Sequence, residues 1–436
     1  MSPSPPSFPT RRQFLKQSGS TLAGSTALGG IAPQLLFGRG PDSVGRNRST
    51  LVTIYLRGGA DPLNTLVPYG DGTYYKIRPT IAIPRPGTKG RRAVLPLNEM
   101  FGLHPSMEPL LPLFKQGLIA PIVNVGSPHQ TRSHFDAQDF MERAAPGVRT
   151  ITEGWLNRFL SATRSNDDSE FRALSLQPTL PRSLRGQHPV LAVPSIGIEH
   201  TINTFESLYS CTEDKHMQAA AAVPQTAAEQ MRRQVTDAGA STIKLIRELR
   251  RIITTTDRQG ATYPGGGFAK QLRDLAKLIK ADKGLEIAAL DYGGWDHHAF
   301  QGGTQGTMST MLGDVSKALA AFVEDLGPRM NRVLVLFMSE FGRTANENGT
   351  NGTDHGHGGH MLAVGGMVKG RKVYGKWTGL EEKSLYQGRD MPVHTDFRQV
   401  FAESLQDLYG FDAFKNNFFP GYNHQAKPLD FLKPVG

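Results

Sequence analysis

The sequence predicts a three-layer α/β/α fold, in which helices cover both faces of a mainly parallel central sheet. Apolar runs rich in β-branched residues alternate with amphipathic helical stretches, and this strand–helix–strand spacing is typical of parallel pairing. Polar and acidic residues gather where these runs end. With 436 residues and one cysteine, the chain is long enough to bury a large core without disulfides.

Four apolar runs are predicted to be strands, at residues 51–56, 118–125, 285–290 and 332–337. The first run stops at a glycine-rich turn that leads to Asp61. An amphipathic helix is predicted over 309–325, between the last two strands, and another begins close after Ser133. In open parallel sheets ligands bind outside the carboxyl ends of the strands, so that edge is the predicted site.

Residues 205–280 differ from the rest, because they are rich in Ala, Gln and Arg with helical periodicity. We predict a helical insertion or cap there, within a single domain that spans residues 49–436. A cap lying over the site would control which substrates enter it.

Residues 1–48 are predicted to be an export signal and linker. Arg11 and Arg12 precede Gln13-Phe14-Leu15-Lys16 and a weakly apolar run, which is typical of a twin-arginine signal, although an amphipathic tail is the alternative. We therefore expect export by the twin-arginine translocase to the periplasm or the exterior. The run is richer in Gly and Ser than a typical membrane span. We expect no transmembrane span, and the sole candidate for an anchor is the signal itself if it is not cleaved.

The formal net charge of +10 does not indicate a nucleic-acid partner. The first 50 residues hold six Lys or Arg and one Asp, which leaves +5 for the remainder. No polybasic run follows the signal, so we expect neither nucleic acid nor an anionic membrane surface as a partner.

Four polar clusters lie between Asp291 and Asp396, and they contain six of the thirteen histidines. Their sequences are DYGGWDHH, MSEFGRT, GTDHGHGGH and VHTDF. Imidazole and carboxylate groups bind zinc, manganese or iron, whereas a thiolate site would need more cysteine. The sequence predicts a site for divalent metal ions, two in number, unless these stretches are only solvated loops.

This order of motifs, from the glycine turn to HTDF, resembles a family of exported bacterial proteins catalogued as domain of unknown function fifteen-zero-one. The resemblance covers residues 51 to about 410. That family in turn resembles the alkaline phosphatase superfamily, which includes the sulfatases and the cofactor-independent phosphoglycerate mutases. The resemblance implies an alkaline-phosphatase-like fold and a metal-dependent site.

The resemblance also implies which residues hold metal. The superfamily's Asp/His pair corresponds to Asp354 and His355, and its late histidine to His394. Glu340 follows a strand where that Asp is expected, so it either replaces the Asp, with Asp354 and His355 supplied by an insertion, or supports another ligand, or is itself an additional ligand. The full candidate set is Asp61, Asp291, Asp296, His297, His298, Glu340, Asp354, His355, His357 and His394.

Superfamily members attack with a hydroxyl or a modified cysteine at a helix N-terminus, and Ser133 and Thr131 are the candidates here. Ser133 is also in a capping-box sequence with Asp136, so a plain helix cap is the alternative. Arg132, Arg343 and Arg57 lie beside the motifs and are candidates for holding an oxyanion, or else ion-pair residues.

The leading hypothesis is an exported metal-dependent hydrolase of phosphate or sulfate esters, acting on a small molecule or a polysaccharide. The alternative is an exported binding or scaffold protein, with a structural metal or a site that has lost its chemistry.

Overall fold

The structure, a computed structural model, describes residues 49–89, 92–165, 168–193, 242–255, 260–422 and 427–433. The strands of these ranges are β1 (Thr50–Arg57), β2 (Leu66–Val67), β3 (Leu95–Pro96), β4 (Gly102–Leu103), β5 (Ile119–Gly126), β6 (Ala173–Ser175), β7 (Leu191–Ala192), β8 (Ile287–Gly293), β9 (Val333–Met338), β10 (Gly359–Val364) and β11 (Thr395–Asp396). Eight of them form the main sheet, in the order β11-β5-β10-β9-β1-β8-β6-β7, and three form a small antiparallel sheet, in the order β2-β4-β3.

The described α-helices lie on and around the main sheet, and short 3₁₀ helices join several of them. The α-helices are α1 (Pro62–Thr65), α2 (Gly72–Ile77), α3 (Leu111–Lys115), α4 (His134–Arg143), α5 (Trp155–Ala162), α6 (242–254), α7 (Gly267–Lys280), α8 (Thr307–Leu326) and α9 (Phe397–Tyr409). The 3₁₀ helices are Pro105–Leu110, Arg182–Leu184, Gly327–Arg332 and Glu382–Ser384.

The predicted α/β class with a mainly parallel sheet is confirmed. β1 pairs in parallel with β8 and with β9, as their alternation with helices predicted. β10 runs antiparallel to both of its neighbours, β5 and β9. It therefore begins at the edge where β1, β5, β8 and β9 end, so the residues just before β10 reach the same edge as the residues just after the others.

The core has two halves, one on each face of the sheet. Val52, Ile54 and Leu56 of β1 pack in a buried cluster that includes α7 and α8. Leu51 and Tyr55 point to the opposite face and pack with α5 and α9. Alternate residues of a strand face opposite sides, so this central strand is apolar on both, and each fully buried aliphatic side chain contributes about 1.5–3 kcal/mol.

Helix α7 falls inside the predicted insertion at 205–280. Its Leu272 and Leu275 share a buried cluster with Ala288 of β8, so this helix is part of a layer on the sheet. Residues 194–241, which contain much of the predicted insertion, lie outside the described residues, as does the predicted export signal at 1–48. The cap and the signal stay predictions. No helix of the described ranges is long and apolar enough to cross a membrane.

His104 connects the small sheet to the loop before α8. It follows β4, and its Nδ1 accepts a hydrogen bond from the Ser106 N–H at 3.0 Å, while its Nε2 lies 3.0 Å from the Gly303 carbonyl oxygen. These partners require a neutral ring with its proton on Nε2. Burial lowers the pKa of His104 to about 4, which is consistent with that neutral form.

Candidate metal site

A glycine turn after β1 brings two strand ends together. Gly58 has φ +124°, and a Cβ added there would lie 2.5 Å from the backbone nitrogen of Asp296. Only glycine adopts this conformation without strain and leaves room for so close an approach. The turn after β1 can therefore pack directly against the Trp295–Asp296 segment that follows β8.

Four side chains converge at this edge of the sheet: His134, Asp296, His298 and His355. His134 is the first residue of α4, Asp296 and His298 follow β8, and His355 precedes β10. The Nε2 atoms of His298 and His355 lie 3.0 and 3.2 Å from Asp296 Oδ1, and 2.9 Å from each other. His134 Nε2 lies 3.3 Å from Asp296 Oδ2. We call these four residues the Asp296 cluster.

The far nitrogen of each of the three imidazoles is held by an acceptor. His134 Nδ1 lies 2.7 Å from Glu340 Oε1, and His298 Nδ1 lies 3.0 Å from Asp354 Oδ1. His355 Nδ1 lies 2.8 Å from the backbone carbonyl oxygen of Arg132. Each acceptor favours a proton on Nδ1, which leaves the Nε2 lone pair directed at the centre. Metal-binding histidines are oriented in this way.

The charges around the cluster keep its central carboxylate ionised. Burial alone would raise the pKa of Asp296, but the Arg343 guanidinium, with Nη2 2.6 Å from Oδ1, and the imidazoles outweigh it and hold the pKa at about 2. The hydrogen bond to Glu340 raises the pKa of His134, whereas burial lowers that of His355. A carboxylate that stays charged is available as a ligand at any moderate pH.

These residues fit a divalent metal ion. His134 Nε2 is buried and forms no hydrogen bond with any of the described residues, since its 3.3 Å approach to Asp296 Oδ2 lacks hydrogen-bond geometry. The ligand atoms of His134, Asp296 and His355 all lie within 4.8 Å of one another. Three imidazoles and one carboxylate suit zinc, manganese or iron. This is the one such group found among the described residues, so the second predicted ion has no comparable ligand set there.

Asp61, a predicted ligand, lies in a buried ion pair. Arg78 Nη1 and Nη2 approach its two oxygens at 2.5 and 3.1 Å, and Gln301 Nε2 donates to Oδ2 at 2.6 Å. Burial would raise the pKa of Asp61, but Arg78 outweighs it and lowers the pKa. Both oxygens are therefore used by protein donors, and Asp61 is not in the Asp296 cluster.

Asp291, also a predicted ligand, forms a two-pronged ion pair with Arg57. Arg57 Nε lies 2.7 Å from Asp291 Oδ2, and Nη2 lies 3.0 Å from Oδ1. Arg57, which was a candidate for holding an oxyanion, thus binds protein carboxylates instead, because Nη1 also lies 3.1 Å from Glu142. All three guanidinium nitrogens of Arg57 thus bind protein acceptors, so none is available to a substrate.

Glu340 and Asp354 contact the cluster through histidines. Glu340 is buried, and besides His134 it accepts hydrogen bonds from the Gly58 N–H at 2.9 Å and from Gln138 Nε2 at 2.9 Å. The second interpretation of Glu340, as a residue that supports another ligand, is the one that this geometry favours. Asp354 likewise holds a cluster histidine from behind, with Oδ1 3.0 Å from His298 Nδ1.

The three remaining histidine candidates lie outside the cluster. His297 is buried, and neither of its ring nitrogens has a hydrogen-bond partner in the described part of the chain. The ring of His357 stacks on Tyr386 with centroids 4.3 Å apart. His394 is exposed, with Nε2 3.2 Å from Thr378 Oγ1. Burial lowers the pKa of all three histidines.

Ser133 is in the N-cap position of α4, but its hydroxyl makes no capping hydrogen bond. The capping-box alternative is therefore wrong, and Asp136 instead pairs with Arg149 Nη2 at 2.8 Å. Thr131 Oγ1 accepts a hydrogen bond from the Ser133 N–H at 3.2 Å, so Thr131 shapes the turn. The Ser133 side chain is exposed and adjoins His134.

The arginines named as catalytic candidates have protein partners. Arg132 Nε lies 3.0 Å from Asp390 Oδ2, and Nη2 lies 2.9 Å from Gln387 Oε1. Arg343 is buried and binds Asp296 together with four backbone carbonyl groups. Those carbonyl groups belong to Gly58, Gly59, Trp295 and Thr353. Arg343 therefore holds Asp296 and its surrounding loops in place.

His134 is the member of the cluster that the sequence analysis missed. It lies in Ser133-His134-Phe135-Asp136, which was interpreted only as a helix start. The available signal was its position, because it follows the carboxyl end of β5 as Asp296 follows that of β8.

Comparison with known proteins gives a family and weak structural likenesses. A family model described as "Protein of unknown function (DUF1501)" matches residues 48–417. No curated protein matches significantly.

Two solved structures illustrate the structural likeness. The zinc complex of the C-terminal periplasmic domain of EcEptC from Escherichia coli has 8% identity and a TM-score of 0.32, over 74% of this chain and 75% of that one. The PsFucS1 sulfatase from Pseudoalteromonas sp. has 10% identity and a TM-score of 0.34, over 89% and 70%. Likenesses this weak carry no inference about substrate or mechanism.

Proposed function

The chain belongs to the DUF1501 family, and because that family's description states no activity, we propose a function from the site: an exported, metal-dependent hydrolase of phosphate or sulfate esters. The observation that carries the proposal is the convergence of three Nε2 atoms on Asp296, each imidazole being held from behind by an acceptor. The motif Arg11-Arg12-Gln13-Phe14-Leu15 supports export by the twin-arginine route.

The residues of the cluster have separate tasks in this proposal. His134, His298, His355 and Asp296 bind the ion, and Arg343 keeps Asp296 ionised and in place. A bound divalent ion supplies an electrophile that polarises an ester oxygen and lowers the pKa of a nucleophile. Phosphate and sulfate esters are suited to such a site because the charge that develops on their oxygens needs a cation nearby.

Ser133 is the proposed nucleophile. Its hydroxyl is exposed and is not engaged in helix capping, and the next residue is the ligand His134. The first backbone N–H groups of the ten-residue helix α4 favour an anionic group at this end. Ser133 can therefore approach a substrate without first breaking a hydrogen bond to the helix.

A panel of three esters tests the proposal: 4-nitrophenyl phosphate, bis(4-nitrophenyl) phosphate and 4-nitrophenyl sulfate. We expect turnover of at least one ester by protein loaded with zinc, manganese or iron, and loss of turnover in Asp296→Asn. Asp430→Asn is the matched control, because Asp430 is an exposed aspartate paired with Lys369. Turnover that persists in Asp296→Asn would contradict the proposal, and Ser133→Ala should lose turnover while keeping its metal.

The engagement of the arginines favours a second candidate, an exported binding or scaffold protein with a structural metal. Arg57, Arg132 and Arg343 all bind protein acceptors, so none offers a free guanidinium to an oxyanion. Metal binding without turnover of any ester in the panel would support this second function over hydrolysis.

A further inference from the structure

Gln138 is part of a continuous hydrogen-bonded chain that ends at a proposed metal ligand. Arg57 Nη1 donates to Gln138 Oε1 at 3.0 Å, and Gln138 Nε2 donates to Glu340 Oε1 at 2.9 Å. The same Glu340 oxygen lies 2.7 Å from His134 Nδ1. Because Arg57 is fixed by its two bonds to Asp291, the chain runs from the end of β8 to His134.

The chemistry of the neighbours determines which way the Gln138 amide points. A guanidinium offers only donors, and an ionised carboxylate offers only acceptors. Only a side chain with an acceptor at one atom and a donor at another satisfies both Arg57 and Glu340. The amide oxygen must therefore face Arg57 and the amide nitrogen must face Glu340.

Helix α4 supplies Gln138 and His134 from the same face. The two residues are four positions apart, and residues at i and i+4 of a helix are neighbours on its surface. Both side chains accordingly reach one oxygen of Glu340. Glu340 is 1% exposed and has no Lys or Arg within hydrogen-bond distance among the described residues, so its position depends on neutral donors and on His134.

We propose that Gln138 is a positioning residue of the metal site: held by Arg57, it fixes the Glu340 carboxylate that directs His134 Nε2 toward Asp296. The inference rests on the metal site of the proposed function and deepens it. Without Gln138, Glu340 loses one of its donors and can rotate, and His134 is then held less firmly for its ligand role. Loss of a hydrogen-bond partner that contacts a metal ligand directly typically weakens metal binding by about 10–100-fold, and because Gln138 acts through Glu340 we expect the lower end of that range, about 10-fold.

The test is the dissociation constant of Zn²⁺, measured by competition with a chromogenic chelator, for the wild type and Gln138→Met. Gln399→Met is the matched control, because Gln399 Nε2 donates to buried Glu403 at 3.0 Å in helix α9, a bond of the same type in another helix. We expect Gln138→Met to bind Zn²⁺ about 10-fold more weakly than wild type and Gln399→Met to bind it as wild type does. Thermal unfolding of the metal-free proteins separates lost affinity from lost stability.

Gln138→Glu is the second variant, and it decides the question if Gln138→Met does not fold. It keeps the size of the side chain but places a carboxylate against Glu340, so it also removes the donor and is expected to weaken Zn²⁺ binding. Unchanged Zn²⁺ affinity in the folded variants, with or without a lower unfolding temperature, would overturn the positioning role alone. If the wild type binds no Zn²⁺, the same comparison is made with Mn²⁺ and Fe²⁺, and a wild-type protein that binds none of the three would overturn the proposed metal site and this inference together.

Discussion

Replacing Arg343 by Met should destabilise the protein strongly, although Arg343 lies beside a site rather than in the apolar core. The side chain is 1% exposed, and it donates to Gly59 O at 2.6 Å, Thr353 O at 3.0 Å and Trp295 O at 3.2 Å, and also to Gly58 O. Methionine fills much of the volume but donates nothing. The His297 N–H still donates to Trp295 O at 2.9 Å, so among the described residues the substitution leaves three carbonyl groups without a donor, those of Gly58, Gly59 and Thr353.

The magnitude follows from those three acceptors. A buried acceptor that loses its donor costs about 1–3 kcal/mol, so the low end of the range gives about 3 kcal/mol for Arg343→Met. Asp296, which also loses Arg343, is half exposed and is solvated, so we add nothing for it. At about 1 °C per kcal/mol for a chain of this size, the unfolding midpoint should fall by about 3 °C.

Differential scanning fluorimetry of metal-free protein measures this shift. Arg149→Met is the control, since the Arg149 side chain is 72% exposed and its pair with Asp136 is a surface pair worth about 0–1 kcal/mol. If Arg343→Met shifts the midpoint no more than Arg149→Met does, the carbonyl groups do not depend on Arg343 and the reasoning is refuted.

Three further substitutions test other parts of the account. Gly58→Ala should abolish the native fold or lower its stability by several kcal/mol, because the added Cβ would lie 2.5 Å from the backbone nitrogen of Asp296 at a residue with φ +124°. Gly72→Ala, whose Cβ would have no atom within 4 Å, should be tolerated, and equal unfolding midpoints for the two variants would contradict this prediction. Burial depresses the folded pKa of His104 to about 4 from about 6.5, so the unfolded chain binds more protons and stability falls as the pH drops through that window. The wild type should lose about 3 kcal/mol of unfolding free energy through this histidine between pH 7 and pH 4, and His104→Gln should not show that loss in urea unfolding. The same pH dependence in both proteins would contradict the role given to His104. Asp61→Asn should lower the free energy of unfolding by about 3–5 kcal/mol, because it leaves the buried Arg78 charge without its carboxylate partner, and the variant should keep its metal. Loss of metal from folded Asp61→Asn would show that Asp61 is a ligand after all.

The sequence predicted the sheet because its signals are local. The runs at 51–56, 285–290 and 332–337 became β1, β8 and β9, since a continuous apolar run between helices has few other places to be buried. The predicted place of the site, outside the carboxyl ends of the strands, also follows from their parallel pairing. The antiparallel direction of β10 was not visible in the sequence, and it explains why a cluster that precedes a strand meets clusters that follow strands.

The individual roles at the site depended on partners that are distant in sequence. Asp61 and Asp291 follow the expected strands, but Arg78 and Arg57 bind them, and nothing local to either aspartate indicates that pairing. Near Asp296, two consecutive histidines were equal candidates, and only the backbone path after β8 directs His298 to the centre. Ser133 and His134 present the opposite case, because a familiar capping pattern concealed a residue of the cluster.

Metal content of the purified protein, measured by elemental mass spectrometry after loading with zinc, manganese or iron, shows whether the Asp296 cluster binds an ion. The wild type should hold about one ion per chain, Asp296→Asn should hold almost none, and the matched Asp430→Asn should equal the wild type. Among the described aspartates, only Asp296 lies within 3.3 Å of three imidazole nitrogens. A folded wild type without metal, or an Asp296→Asn variant with its metal intact, would contradict the account.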